Sequence, residues 1–148
     1  EAVGATVYKL DIAASDAASA KLAERHDRAD LLAGVDLSGQ DDMVAGVLMD
    51  LARAETQPRA DRLAGALSDA IRGAGLKMHR HPVQGANFSV LKSPDIPSLL
   101  LELGFLSSER DRARLSDPAW RAKMAQAILV ALRAWAVADA AEARLIRQ

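Results

Sequence analysis

The run Ser93-Pro-Asp-Ile-Pro97 constrains this chain more than any other stretch. Each proline removes a backbone N–H and fixes φ, and the residue ahead of it is pushed towards extended conformation. Two prolines within five residues therefore forbid helix and favour a rigid extended turn. Short apolar runs lie on both sides of it, Asn87 to Lys92 before and Ser98 to Leu103 after. Leu99-Leu-Leu101, bounded by the turn, reads as a buried strand, although periodicity alone leaves a helix open.

The rest of the chain alternates with helical texture. Thr6-Val7-Tyr8, between Gly4 and Asp11, is a short β-prone segment. A helix is expected over 15–35, with Ser15 or Asp16 as cap, Leu22, Leu31 and Leu32 as apolar points, and Gly34 as stop. Asp41 opens a second helix in which Met43, Val44, Val47, Leu48 and Leu51 form one stripe at helical period. Pro58 is expected to open a third, at its first turn, running through Leu63, Leu67 and Ile71 to Gly73 and Gly75. A short helix follows Glu109, and the pair Asp117-Pro118 caps and opens a long last one through Trp120, Met124, Ile128, Leu132 and Trp135. The sum is α/β, part of a mixed sheet flanked by helices, with three strands at most. The first strand begins almost at residue 1, so its sheet neighbours are expected to be absent and the chain reads as a piece of a domain.

Composition narrows the function classes. A formal net charge of −1, with basic residues scattered among acids, gives no general attraction to nucleic acid or anionic membrane. No uninterrupted apolar run approaches the roughly 20 residues that span a bilayer. The start, Glu1-Ala-Val-Gly4, does not read as a signal peptide, so any targeting segment is expected to have been removed. Cysteine is absent, which excludes disulfides, cysteine nucleophiles and thiolate metal sites, and leaves the compartment open. No Gly-rich phosphate loop, His-Glu-x-x-His or Gly-x-Ser-x-Gly occurs.

Glu102 is the strongest local anomaly: a carboxylate at the expected C-terminal end of an apolar strand. Active-site crevices of open α/β sheets form at that end. A carboxylate there would have a raised pKa, which suits a general acid or base; the structural alternative is a salt bridge to Lys92 or an arginine. His79 and His81, at i and i+2, share a face if extended, as metal-binding pairs do. Their basic, proline-terminated surroundings also fit two surface histidines. His26, within Glu24-Arg-His-Asp-Arg28, reads as a solvated helix face.

The segment Asn87-Phe-Ser-Val-Leu-Lys-Ser-Pro-Asp-Ile-Pro-Ser-Leu-Leu-Leu-Glu-Leu-Gly-Phe-Leu-Ser-Ser108 strongly resembles the N-acetylmuramoyl-L-alanine amidases, and among them the zinc amidases that separate daughter cells of Gram-negative bacteria. Their pattern is a Phe-x-Val-Leu strand, a proline-bracketed turn, and an apolar strand ending in Glu before Phe-Leu/Ile-Ser. The resemblance runs back through Ala86 and His79 and on to about Trp135. Ala29-Asp-Leu-Leu-Ala-Gly-Val35 and Asp41 to Leu51 resemble the regulatory insertion of this subgroup.

The resemblance implies a periplasmic, cell-division hydrolase that cuts the amide between N-acetylmuramic acid and the L-alanine of the stem peptide in peptidoglycan. It implies that 1–148 is the C-terminal portion of one catalytic domain, with a helical regulatory insertion at about 15–56. Glu102 matches the family's catalytic glutamate. The family's zinc is held by two histidines and a glutamate for which this chain offers no counterpart, so the ligands are expected upstream and the chain alone is expected to be inactive. In the subgroup a helix of the insertion gives a glutamate to the zinc and holds the enzyme off. His26 stands where that glutamate usually does, and neutral imidazole is a good zinc ligand. The stripe Met43, Val44, Val47, Leu48 and Leu51 resembles the helix that docks an activator of the LytM type, with core packing as its alternative. From a different class, a non-catalytic module that binds such an activator fits the same features.

Overall fold

The computed structural model describes residues 2–11, 14, 17, 19–24, 43–93 and 95–146, and for residues 43–52, 145 and 146 the backbone alone. Along the chain these form β1 (Ala5–Leu10), α1 (Met43–Gly73), β2 (Met78–Ala86), a 3-10 turn (Ser89–Leu91), β3 (Leu100–Glu102), α2 (Glu109–Ser116) and α3 (Pro118–Ile146). Residues 17 and 19–24 are also helical, as expected for 15–35; the rest of that expected helix lies outside the described residues.

The three strands form one sheet in the order β2-β1-β3. Ala5 N–H donates to Lys77 O and Asp11 N–H to Ala86 O, so β1 and β2 advance in the same direction. Opposite indices govern the other side. Tyr8 meets Glu102, while Gly4 and Phe105 both donate to the Asp111 carboxylate, as an antiparallel β1–β3 pair requires. The sheet is mixed, and the α/β expectation holds.

Two strand expectations are corrected. β1 does not lack neighbours: it is the central strand, paired on both sides. The second strand is not the Phe88-x-Val-Leu run, which winds into the 3-10 turn through bonds from Leu91 N–H to Phe88 O and from Lys92 N–H to Ser89 O. It is the basic segment Met78–Ala86, whose Pro82 is tolerated because β2 is an edge of the sheet. β3 is likewise an edge among the described strands, and all three of its residues are half-buried rather than buried.

Pro58 does not open a helix. It lies inside the 31-residue α1, which fuses the two expected helices into one. Nothing between Leu51 and Pro58 stops a helix: the intervening residues are good or neutral formers, and Thr56 Oγ returns a bond to Arg53 O at 3.3 Å. The expected stop is where it should be. Gly75, with φ of 69°, donates to Arg72 O while Leu76 donates to Ile71 O, the paired bonds of a Schellman motif.

The chain divides into two compact units. The first comprises Glu1–Tyr8, Asp61–Val83 and Leu101–Gln148. Its core draws Ala5, Val7 and Tyr8 from β1, Leu63, Ala64, Leu67 and Ile71 from α1, and Met124, Ala127 and Ala131 from α3. Arg62 joins α1 to α3 through Glu142 and Asp139. The buried face of α3 keeps Met124 but otherwise differs from the expected stripe: Leu132 is 41% exposed, while Ala127 and Ala131, through which backbones approach closely, turn inward. Over Pro118–Arg144 this helix is long and apolar enough, by length and composition alone, to cross a membrane. Counting uninterrupted apolar runs overlooked it because Arg133 and Asp139 divide the sequence.

The second unit comprises Lys9–Ala60 and Gln84–Leu100. Phe88 is fully buried there, with Ala60, Ala86 and Leu91. Ser19 donates to Gln84 Oε1 at 2.9 Å, both side chains buried. Arg53 makes two bonds to Lys92 O, at 3.2 and 3.1 Å, and so ties α1 to the start of the proline turn.

Candidate active site

Glu102 ends β3, half-buried, and its side chain meets β1. Tyr8, buried at the centre of the sheet, donates its hydroxyl to Glu102 Oε2 at 3.2 Å. A glutamate on an exposed edge could adopt many rotamers. Here one oxygen is held by a ring buried in the core.

The segment after Glu102 is held by a second carboxylate. Asp111, 2% exposed, accepts from Phe105 N–H at 3.1 Å and from Gly4 N–H at 2.8 Å, both on Oδ2. Its Oδ1 takes Arg114 at 2.9 Å. The approach is so close that a Cβ on Gly104 would lie 3.0 Å from the Asp111 Cβ. Ser108 caps α2 by accepting the Asp111 N–H at 3.3 Å, and Arg112 donates to Leu106 O. Residues 103–106 therefore leave Glu102 along a path fixed at several points.

His79 and His81 lie on β2, the first half-buried and the second exposed, with ring centroids 6.0 Å apart. His79 Nδ1 accepts the His81 N–H at 3.3 Å, and its ring lies 5.8 Å from that of Phe105. The pair does share a neighbourhood, as the spacing suggested. Among the described residues, however, no three His, Cys, Asp or Glu side chains gather as a metal site requires. These residues do not fit a zinc centre by themselves. His26 lies outside the described residues. Met43, Val44, Val47, Leu48 and Leu51 fall on the α1 backbone, but their side chains lie outside what is described.

In the second unit a shallow open cleft is lined by Leu10, Arg53, Gln57, Ser93 and Pro97 among others; Glu102 is not among them. Sequence reasoning overlooked Tyr8 and Asp111. Ser108-x-x-Asp111 does carry the signature of a helix start, but nothing local points its carboxylate at Gly4, and Tyr8 reads only as a strand residue.

These features define an α/β protein that presents one anchored carboxylate at the end of a sheet strand. The family model described as N-acetylmuramoyl-L-alanine amidase matches residues 1–134, and the chain belongs to that family. It is 36% identical over 129 residues to N-acetylmuramoyl-L-alanine amidase AmiA of Salmonella typhimurium, covering 86% of this chain and 44% of the relative. To N-acetylmuramoyl-L-alanine amidase AmiC of Escherichia coli it is 31% identical over 142 residues, 95% of this chain and 34% of the relative. A probable cell wall amidase, LytH of Staphylococcus epidermidis, is 36% identical over 75 residues, 51% of this chain and 25% of the relative. The chain thus spans less than half the length of each of these relatives.

Proposed function

We propose that the protein carrying this chain hydrolyses the amide between the lactyl carboxyl of N-acetylmuramic acid and the first L-alanine of the stem peptide, with Glu102 as its general base and acid. The observation that carries this reading is the carboxylate at the end of β3, within the span matched by the family. Glu102 takes a proton from the water that attacks the carbonyl carbon. It returns that proton to the alanine nitrogen as the C–N bond breaks, leaving a carboxylic acid and an amine, which then ionise to carboxylate and ammonium.

Zinc belongs to this proposal as the family's Lewis acid, which would polarise the carbonyl and acidify water. The described residues do not assemble its ligands, so it would need groups beyond them. The reading also places the protein in the periplasm, acting in cell separation.

The test is release of stem peptides from purified peptidoglycan by the whole protein, compared with Glu102→Gln. The variant is expected to lose on the order of 10²–10⁴-fold in rate. Cleavage at the unaltered rate would refute the assignment.

The regulatory part of the proposal is supported by sequence alone. Residues of about 15–56 would hold the site off, with His26 as the inhibitory ligand, and the stripe from Met43 to Leu51 would dock a LytM-type activator. His26→Ala should then raise activity in the absence of activator. Leu48→Asp should lower stimulation by activator without lowering basal cleavage. Unchanged basal activity in the first variant removes His26 from the scheme, and full stimulation of the second removes the stripe.

A further inference from the structure

We propose that Tyr8 is a positioning residue for catalysis, acting through Glu102; the inference rests on the amidase reading above. Tyr8 is 4% exposed and sits on the central strand, so its backbone is paired on both sides and its ring is buried. Its hydroxyl donates to Glu102 Oε2 at 3.2 Å. Glu102, by contrast, closes a three-residue edge strand and is only half-buried. The rigid partner is Tyr8 and the adjustable one is Glu102, so the bond fixes the carboxylate rather than the ring.

The consequence is chemical. A general base must lie within hydrogen-bond reach of the proton it takes, and small displacements of such a group are costly in rate. With Oε2 held by the phenol, the carboxylate keeps one orientation as it receives the proton of the attacking water. The phenol donates to the carboxylate before proton uptake. It can remain on Oε2 once Oε1 carries the proton, because a neutral carboxyl still accepts there. In this role Tyr8 acts through Glu102 and exchanges no proton. It sets where the carboxylate stands.

Tyr8→Phe in the whole protein deletes the hydroxyl and keeps the ring. With a soluble muropeptide as substrate, kcat should fall about tenfold while KM stays within about twofold, since binding is not touched. A melting temperature within a few degrees of the parent accompanies that result. Urea unfolding of Tyr8→Phe, Glu102→Ala and the double variant provides a second reading: the two single effects should not add, because either substitution removes the Tyr8–Glu102 bond. Unaltered kcat overturns the proposal, as does a loss of activity that disappears when the assay is cooled below the variant's melting transition. Strict additivity in unfolding overturns it too. Cleavage by Glu102→Gln separates the two readings: if that variant still cleaves, the amidase assignment fails, whereas an inactive Glu102→Gln beside a fully active Tyr8→Phe removes Tyr8 alone.

Discussion

Asp111 and Gly4, 107 positions apart in the chain, are joined by a bond of 2.8 Å from the Gly4 amide to Asp111 Oδ2. The same oxygen receives Phe105 N–H, so one buried carboxylate fixes both the segment leading into β1 and the segment leaving β3. Asp111→Ala would leave two backbone donors without this acceptor and Arg114 without its partner. It is expected to destabilise the protein by about 2–4 kcal/mol, the range for a buried charged group with several bonds. Asp111→Asn keeps an acceptor and the shape, and should cost about half as much. Urea unfolding of both variants is the check; equal costs would show that the charge, not the bonding pattern, matters.

Gly4 also has a backbone requirement of its own. Its φ is 94°, and a Cβ there would lie 2.6 Å from the Met78 carbonyl carbon, which is backbone and cannot swing aside. Gly4→Ala is expected to cost about 2–4 kcal/mol. Gly104→Ala, whose nearest obstacle is the Asp111 side chain at 3.0 Å, should cost about 1 kcal/mol and fall mainly on the segment after Glu102. Gly65, inside α1 with nothing within 4 Å of its would-be Cβ, should become more stable by about 0.5–1 kcal/mol as alanine. Thermal unfolding ranks the three, and a different order would count against this geometry.

What the sequence made legible was local. Asp117-Pro118 is a cap and a first-turn proline, and a helix begins there because both signals act within three residues. Gly75 stops α1 for the same kind of reason. Glu102 stood out because an acid at the end of an apolar run is locally anomalous, and its placement at the end of β3 followed. The contacts that hold it were not legible: Tyr8 lies 94 positions from Glu102, and no pattern in either neighbourhood names the other. The order β2-β1-β3 was hidden likewise, since pairing is decided by partners and not by the run itself. Phe88-Ser-Val-Leu91 has strand composition, yet among the described residues it pairs with no strand and turns on itself.

Pro58 is the clearest case of context overriding a rule, and it predicts a gain. Inside α1 it cannot donate to the carbonyl four residues back, and its ring crowds that carbonyl. The residue is exposed, so replacement disturbs no core. Pro58→Ala is expected to stabilise the protein by about 1–3 kcal/mol and to raise helical circular dichroism slightly. A loss of stability instead would mean that α1 bends at this point and that the bend is needed by what packs along it.

The two caps after the site offer a graded test of how firmly its exit path is held. Asp117 accepts Ala119 N–H at 2.9 Å in an exposed position, so Asp117→Ala removes one cap bond and should cost about 1 kcal/mol. Ser108 is buried, and it accepts the amide of the same Asp111 whose side chain holds Gly4 and Phe105. Losing it strands a donor away from water and loosens Asp111 together with the segment after Glu102. Ser108→Ala should therefore cost more, about 1.5–2.5 kcal/mol, and reduce peptidoglycan cleavage, whereas Asp117→Ala should leave cleavage intact. Unfolding in urea gives the stabilities and muropeptide release gives the activities. Equal effects of the two variants on activity would show that the geometry of residues 103–108 does not reach Glu102.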